Sequence, residues 1–219
     1  MTEAVAGKVA IVIGATGLVG NALVEQLAQA PHIGQVIAIT RRPVDYGSDK
    51  ICNQVVDFDQ LEKTADVFKG DILFSCLGTT RKQAGSLEAQ RIVDVDYQYR
   101  AAQLAAKQGV SHYLLVSSSG ANVQSSSGYM KMKGELEQAI EKLGFPRVSI
   151  LQPSLLLGTR DHLRVGEMIG SWLLPALCLL PGLRRYRPIR GEQVAATMVK
   201  LSGCQGQGLE RLVLDQVFS

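Results

Sequence analysis

Little in this chain points to metal, disulfide or nucleic-acid chemistry. Its three histidines, His32, His112 and His162, lie far apart, and so do its four cysteines, Cys52, Cys76, Cys178 and Cys204. No C-x-x-C pair and no His cluster has ligand spacing, so no metal site is expected. The same scatter excludes a disulfide framework and suits a reducing compartment, which makes a cytoplasmic protein the expectation. Net charge is only +3, far from the concentrated positive field that nucleic acid requires, so no nucleic-acid partner is expected. Long apolar runs are missing as well. The opening MTEAVAGKVAIVIG has no basic leader ahead of a long apolar stretch, and reads as a buried strand rather than a signal peptide. The segment 168–183, MIGSWLLPALCLLPGL, is short for a membrane span and contains Pro175 and Pro181, so no span is expected. It reads as a partly buried helix pair or an oligomer face, leaving a homodimer open, or else as a peripheral membrane anchor.

What is present is an ordinary globular composition, 46% hydrophobic and 20% charged over 219 residues, long enough for one well-filled core. Strand-like runs alternate with helical patterns. KVAIVIG (8–14), QVIAIT (35–40), QVVDF (54–58), ILFSCLG (72–78), HYLLVSSS (112–119), RVSILQP (147–153) and RLVLD (211–215) are the expected strands. Apolar residues at helical spacing mark helices over 18–30, 91–109 and about 129–143, stopped by Pro31, Gly109 and Gly144. Alternation of this kind implies an α/β fold: a doubly wound parallel sheet with right-handed crossovers. Ligands in such sheets bind beyond the carboxyl ends of the strands. The first, fourth and fifth strands all run into glycine- or serine-rich loops, which should therefore share one rim.

Gly14-Ala15-Thr16-Gly17-Leu18-Val19-Gly20 follows a strand and opens a helix. In that context Gly14 permits a tight turn, Gly17 admits the pyrophosphate to the backbone, and Gly20 allows close packing of helix on strand. The motif has no G-K-[ST] ending, which disfavours a nucleoside-triphosphate P-loop. About 20 residues on, an NAD-specific fold places Asp or Glu against the ribose 2′-hydroxyl. Here the second strand ends Thr40-Arg41-Arg42. Two guanidiniums suit a 2′-phosphate, so NADP(H) is expected over NAD(H). Asp57, beside Phe58, is placed either to accept the adenine amino hydrogen or to cap a turn.

Tyr129 and Lys133 stand four apart on a helix, which puts both side chains on one face. A neighbouring ammonium favours the phenolate, and a lysine there can also hold a ribose, so the pair suits general acid–base work beside a dinucleotide. Ser117, Ser118 and Ser119 end the preceding strand, and one hydroxyl among them can bond a carbonyl oxygen as charge develops.

Taken together, these motifs resemble the short-chain dehydrogenase/reductase superfamily in its atypical or extended form. The resemblance is closest to the Tat-interacting-protein branch. It rests on Gly14-x-x-Gly17-x-x-Gly20, Cys76-Leu-Gly-Thr-Thr-Arg81, Val95-Asp96-Tyr97, Ser117-Ser-Ser-Gly-Ala121, Tyr129-x-x-x-Lys133-Gly-Glu135 and Gln152-Pro-Ser-Leu-Leu-Leu-Gly158, in order along nearly the whole chain. It implies one Rossmann-like NAD(P)-binding domain over 1–219, with 154–210 contributing a small substrate lobe. It also implies a Ser118–Tyr129–Lys133 catalytic set. Leu77, Gly78 and Thr79 would line the adenosine side, Ser117 would lie against the cofactor, and Pro153, Ser154 and Leu155 would pass the nicotinamide.

The chain departs from the family pattern in two places. Many active members carry an asparagine in the long helix that supports the lysine, where this chain has Asp96. The lobe is also short for the extended class. Its arginines, Arg160, Arg164, Arg184, Arg185, Arg187 and Arg190, read either as a clamp for an anionic substrate or acidic partner or as a solvated face. The leading expectation is an NADP-dependent oxidoreductase acting on a small carbonyl or alcohol. The alternatives are an NADPH-binding sensor or scaffold without turnover, and a nucleotide-sugar epimerase or dehydratase, which needs a larger lobe.

Overall fold

The run Lys8–Ile13 forms the first strand, β1, and its side chains alternate between two cores. Ala10 and Val12 enter one hydrophobic cluster and Ile11 and Ile13 the other, as the period-2 geometry of a strand covered on both faces requires. The computed structural model describes residues 7–157 and 187–218. The apolar 168–183 segment and Arg160, Arg164, Arg184 and Arg185 lie outside the described residues, as do His162 and Cys178.

Six further strands join β1: β2 (Ile33–Thr40), β3 (Ile51–Val55), β4 (Ile72–Ser75), β5 (His112–Val116), β6 (Arg147–Gln152) and β9 (Gly208–Val213). The order is β3-β2-β1-β4-β5-β6-β9, and every pairing is parallel. The chain steps outward from β1 to β3, then returns to place β4 on the other side of β1. That reversal opens the crevice between β1 and β4 where such sheets take ligands. Two short strands, β7 (Leu156–Leu157) and β8 (Ile189–Arg190), pair separately.

Helix α1 (Leu18–Gln29) and helix α6 (Gly191–Gly203) cover one face of the sheet. A 3-10 segment (Phe58–Phe68), α4 (Tyr97–Lys107) and α5 (Gly128–Glu141) cover the other. The short helices α2 (Arg81–Ala84) and α3 (Leu87–Arg91) lie between β4 and α4. Helix α6 sits within the helix layer against α1, although it falls inside the 154–210 stretch expected to form the lobe.

Several expected boundaries move, the fourth and fifth strands ending at Ser75 and Val116 rather than at 78 and 119. The third strand is 51–55, not 54–58, because Val56 and Phe58 turn into the core and Asp57 caps the 3-10 segment. The last strand is 208–213, ending where Leu214 takes φ +56° and begins a closing 3-10 turn. The long helix is three pieces: α3 enters a single π turn (Ile92–Asp96), which then continues as α4. The π turn rotates the residues upstream of it relative to a regular helix.

Candidate functional site

At the end of β1, Gly14 takes φ +77°, and a Cβ there would stand 2.5 Å from the Cys76 carbonyl carbon at the end of β4. The turn is thus pressed against the neighbouring loop as well as left-handed, and both conditions demand glycine. A Cβ on Gly20 would come within 2.1 Å of the Gly14 carbonyl oxygen. The glycine turn and the first turn of α1 are consequently one close-packed unit. Gly17 is the N-cap of α1; no described side chain caps the helix and no carboxylate occupies its first turn. Its first amides and the positive end of its dipole are left to an anion, which is the fit a pyrophosphate needs. Ala15 and Val19 are buried beneath the turn, Leu18 is half-buried, and Thr16 is exposed above it.

Arg41 and Arg42 follow β2 and are exposed. The loop that carries them is anchored. The Thr40 hydroxyl donates to the Arg42 carbonyl at 2.7 Å, and the Asn53 amide donates to the Thr40 hydroxyl at 2.8 Å. Asn53 also accepts from the Val44 N–H at 2.9 Å. Neither Thr40 nor Asn53 was singled out from the sequence; a polar pair inside two apolar strands was the signal available. Asp57 accepts from the Asp59 N–H at 3.0 Å and from the Gln60 amide at 2.8 Å, so it does cap a turn. The Phe58 ring is buried and packs on Tyr97 with centroids 5.4 Å apart, which leaves its backbone, not its ring, to meet a ligand.

At the centre of the rim, Lys133 is 3% exposed. Its Nζ lies 5.9 Å from the centroid of the Tyr129 ring one turn earlier on α5, and 3.4 Å from the Asp94 Oδ1 in the π turn. Tyr129 is half-buried, and no described residue hydrogen-bonds its hydroxyl. The carboxylate beside the lysine is thus Asp94 and not Asp96. The expectation matched Asp96 to the family's asparagine, but it is Asp94, one turn before the buried Gln98, that faces the lysine. Asp94 Oδ2 also accepts from the Thr79 N–H at 3.4 Å, which ties the lysine to the Leu77-Gly78-Thr79 loop. Beside them, burial pushes the Cys76 thiol up to about 12, against the pull of the Lys133 ammonium.

The three serines part company. Ser117 is 4% exposed and its hydroxyl donates to Glu137 Oε1, which also accepts from the Gln152 amide at 2.9 Å. That hydroxyl is committed to the core. Ser118 is half-buried on the rim. The Ser119 N–H donates to the Pro153 carbonyl at 3.0 Å, joining the ends of β5 and β6. Glu137 continues the stripe Tyr129, Lys133, Glu137 along α5, a spacing that was legible but not used. Past buried Pro153, the Ser154 hydroxyl donates to the Arg187 carbonyl at 2.5 Å, and the Ile189 N–H donates to the Leu155 carbonyl at 2.9 Å. Arg187 and Ile189 therefore pack against the rim through Ser154 and Leu155. Cys52, Cys76 and Cys204 are free thiols, and no metal-ligating group of three exists among the described residues.

A parallel sheet that reverses its strand order beside an uncapped, glycine-fed helix is the architecture of Rossmann-type dinucleotide binders. Residues 14–163 match the family model described as NAD(P)H-binding, and the chain belongs to that family. It is 38% identical to protein HTATIP2 of Rattus norvegicus over 166 residues, 74% of this chain and 68% of that protein. It is 36% identical to the protein FMP52, mitochondrial, of Candida albicans over 215 residues, 93% of this chain and 92% of that one. Among solved structures it resembles a short-chain dehydrogenase/reductase superfamily protein from Agrobacterium tumefaciens with bound NAD. That likeness has a TM-score of 0.70 at 15% identity, covering 94% of this chain and 77% of the other; it bears on the fold alone.

One expectation is corrected. The FMP52 proteins of Candida albicans, Saccharomyces cerevisiae and Debaryomyces hansenii are named mitochondrial, which conflicts with a cytoplasmic assignment for this chain. Scattered cysteines do not by themselves identify a compartment. No helix among the described residues is long and apolar enough to cross a membrane.

Proposed function

We propose that this protein is an NADP(H)-dependent oxidoreductase acting on a small carbonyl or alcohol. The observation that carries the reading is the buried Lys133 beside the Tyr129 ring, 5.9 Å from its centroid, on the rim where the glycine turn ends. A lysine is seldom buried without a task or a partner.

NADPH, when bound, supplies the hydride. Tyr129 holds the proton at its Oη and passes it to the substrate oxygen. The Ser118 hydroxyl donates to that same oxygen and fixes the carbonyl, since Ser117 is engaged elsewhere. Lys133 takes the nicotinamide ribose hydroxyls and keeps the ring in register with the substrate. Gly14, Ala15, Thr16, Gly17, Leu18, Val19 and Gly20 form the pyrophosphate seat, and Arg41 and Arg42 take the 2′-phosphate. Asp57, the Phe58 backbone, Leu77, Gly78 and Thr79 lie along the adenosine, and Pro153, Ser154 and Leu155 along the nicotinamide. A substrate lobe as short as 154–210 suits a small molecule.

The test follows NADPH oxidation by purified protein against a panel of small aldehydes, ketones and quinones, with Tyr129→Phe alongside. The expected result is turnover that falls by about 100-fold or more in the variant, with NADPH affinity unchanged. Bound NADPH without Tyr129-dependent turnover favours the second reading, an NADPH sensor or scaffold. That reading draws on the Asp94 carboxylate facing the lysine.

A further inference from the structure

Asp94 is 0% exposed, and a buried carboxylate is costly unless compensated. Its compensation is thin. Oδ2 accepts one long bond from the Thr79 N–H, 3.4 Å, and Oδ1 has no hydrogen-bond partner among the described residues. Oδ1 faces the Lys133 ammonium at 3.4 Å, beyond hydrogen-bond length yet well within ion-pair range. The position itself is braced. The Asp94 carbonyl accepts from the Gln98 amide at 2.8 Å, and Gln98 Oε1 accepts from the Ser75 hydroxyl at 2.7 Å at the end of β4. The π turn that carries Asp94 is the kind of helix irregularity often found at functional sites.

No other described charge stands as near the ammonium. The Cys76 thiol is neutral at ordinary pH because burial pushes it up to about 12. Glu137, one turn further along α5, is engaged by Ser117, Gln152 and Arg211. Asp94 is the group that offsets Lys133.

We propose that Asp94 is a positioning residue that holds Lys133 and cancels its charge at the nicotinamide end of the site, and so sets the balance between oxidised and reduced cofactor. This rests on the NADP(H) reading above. The oxidised nicotinamide ring carries a positive charge and the reduced ring none. An uncompensated ammonium nearby would weaken binding of NADP+ while leaving NADPH little affected. With Asp94 in place the pair is neutral and the oxidised form is tolerated.

The experiment is calorimetric titration of NADP+ and NADPH into the full chain, its Asp94→Asn variant and the double variant Asp94→Asn, Lys133→Met. The ratio of the NADP+ to the NADPH dissociation constant rises by about tenfold in Asp94→Asn. It returns to the native value in the double variant, even though both affinities are lower there. Equal weakening of both cofactors by Asp94→Asn would make Asp94 a mere brace and overturn the proposal. If Asp94→Asn does not fold, as circular dichroism would report, the double variant decides alone. It buries no unpaired charge, and a ratio unlike the native one overturns the proposal. Native protein that binds neither cofactor overturns the NADP(H) reading itself, a different outcome from an unchanged ratio.

Discussion

Arg41 and Arg42 have no ion-pair partner among the described residues, yet the loop bearing them is fixed by Thr40 and Asn53. An anchored pair of guanidiniums loses little freedom on meeting a phosphate. Replacing both by alanine is expected to weaken NADPH by roughly tenfold or more and to leave NADH unaffected, as fluorescence titration with each cofactor would show. Equal loss for both cofactors would place the arginines away from the 2′-phosphate. At this scale, residues with a strict local requirement were legible. Gly14 and Gly20 are dictated by backbone contacts that leave no room for a side chain, and Tyr129 and Lys133 by helical spacing. Asp94 was not read from the sequence: the family's asparagine was matched to Asp96, although Asp94 stands at ordinary helical spacing from the buried Gln98, Ala101 and Ala105. Nor was the division of labour among the serines, since Glu137, which claims Ser117, comes from a different element.

Among elements, β5, β6 and β9 are held together by more than backbone ladders. The Ser149 hydroxyl donates to Glu210 Oε1 at 2.5 Å, so it accepts at its own oxygen from the His112 Nε2–H, 2.7 Å away. Arg147 donates to Glu210 at 2.6 Å and to the Cys204 carbonyl at 2.7 Å, fastening the end of α6 to the same edge. Burial first, and then Arg147, lowers His112 to about 3 from its ordinary 6.5. The folded state therefore resists protonation while the unfolded chain accepts it. Stability is full above pH 6.5 and is lost progressively as pH falls from there toward 3. Between pH 6.5 and 5 this amounts to about 2 kcal/mol. Urea unfolding at the two values should show that loss in the native chain and a smaller one in His112→Gln. Equal losses would mean that His112 is already free to charge when folded. The strands themselves were legible wherever both faces are buried. The misplaced third strand shows the limit: Val56 and Phe58 looked like strand continuation because a core-facing turn is as apolar as a strand.

For the whole molecule, alternation of strand and helix fixed the parallel sheet and the shared rim, and the strand order β3-β2-β1-β4-β5-β6-β9 places the glycine turn at its reversal. Compartment was not legible, because free cysteines carry no address. The lobe was legible only as a length, since 158–186 falls outside the described residues. Everything proposed about chemistry depends on the rim holding a nicotinamide dinucleotide, and direct titration of the purified chain with NADPH and NADH, followed by cofactor fluorescence, tests that first. The account predicts saturable binding of NADPH, tighter than NADH. Absence of saturable binding by either cofactor would contradict it.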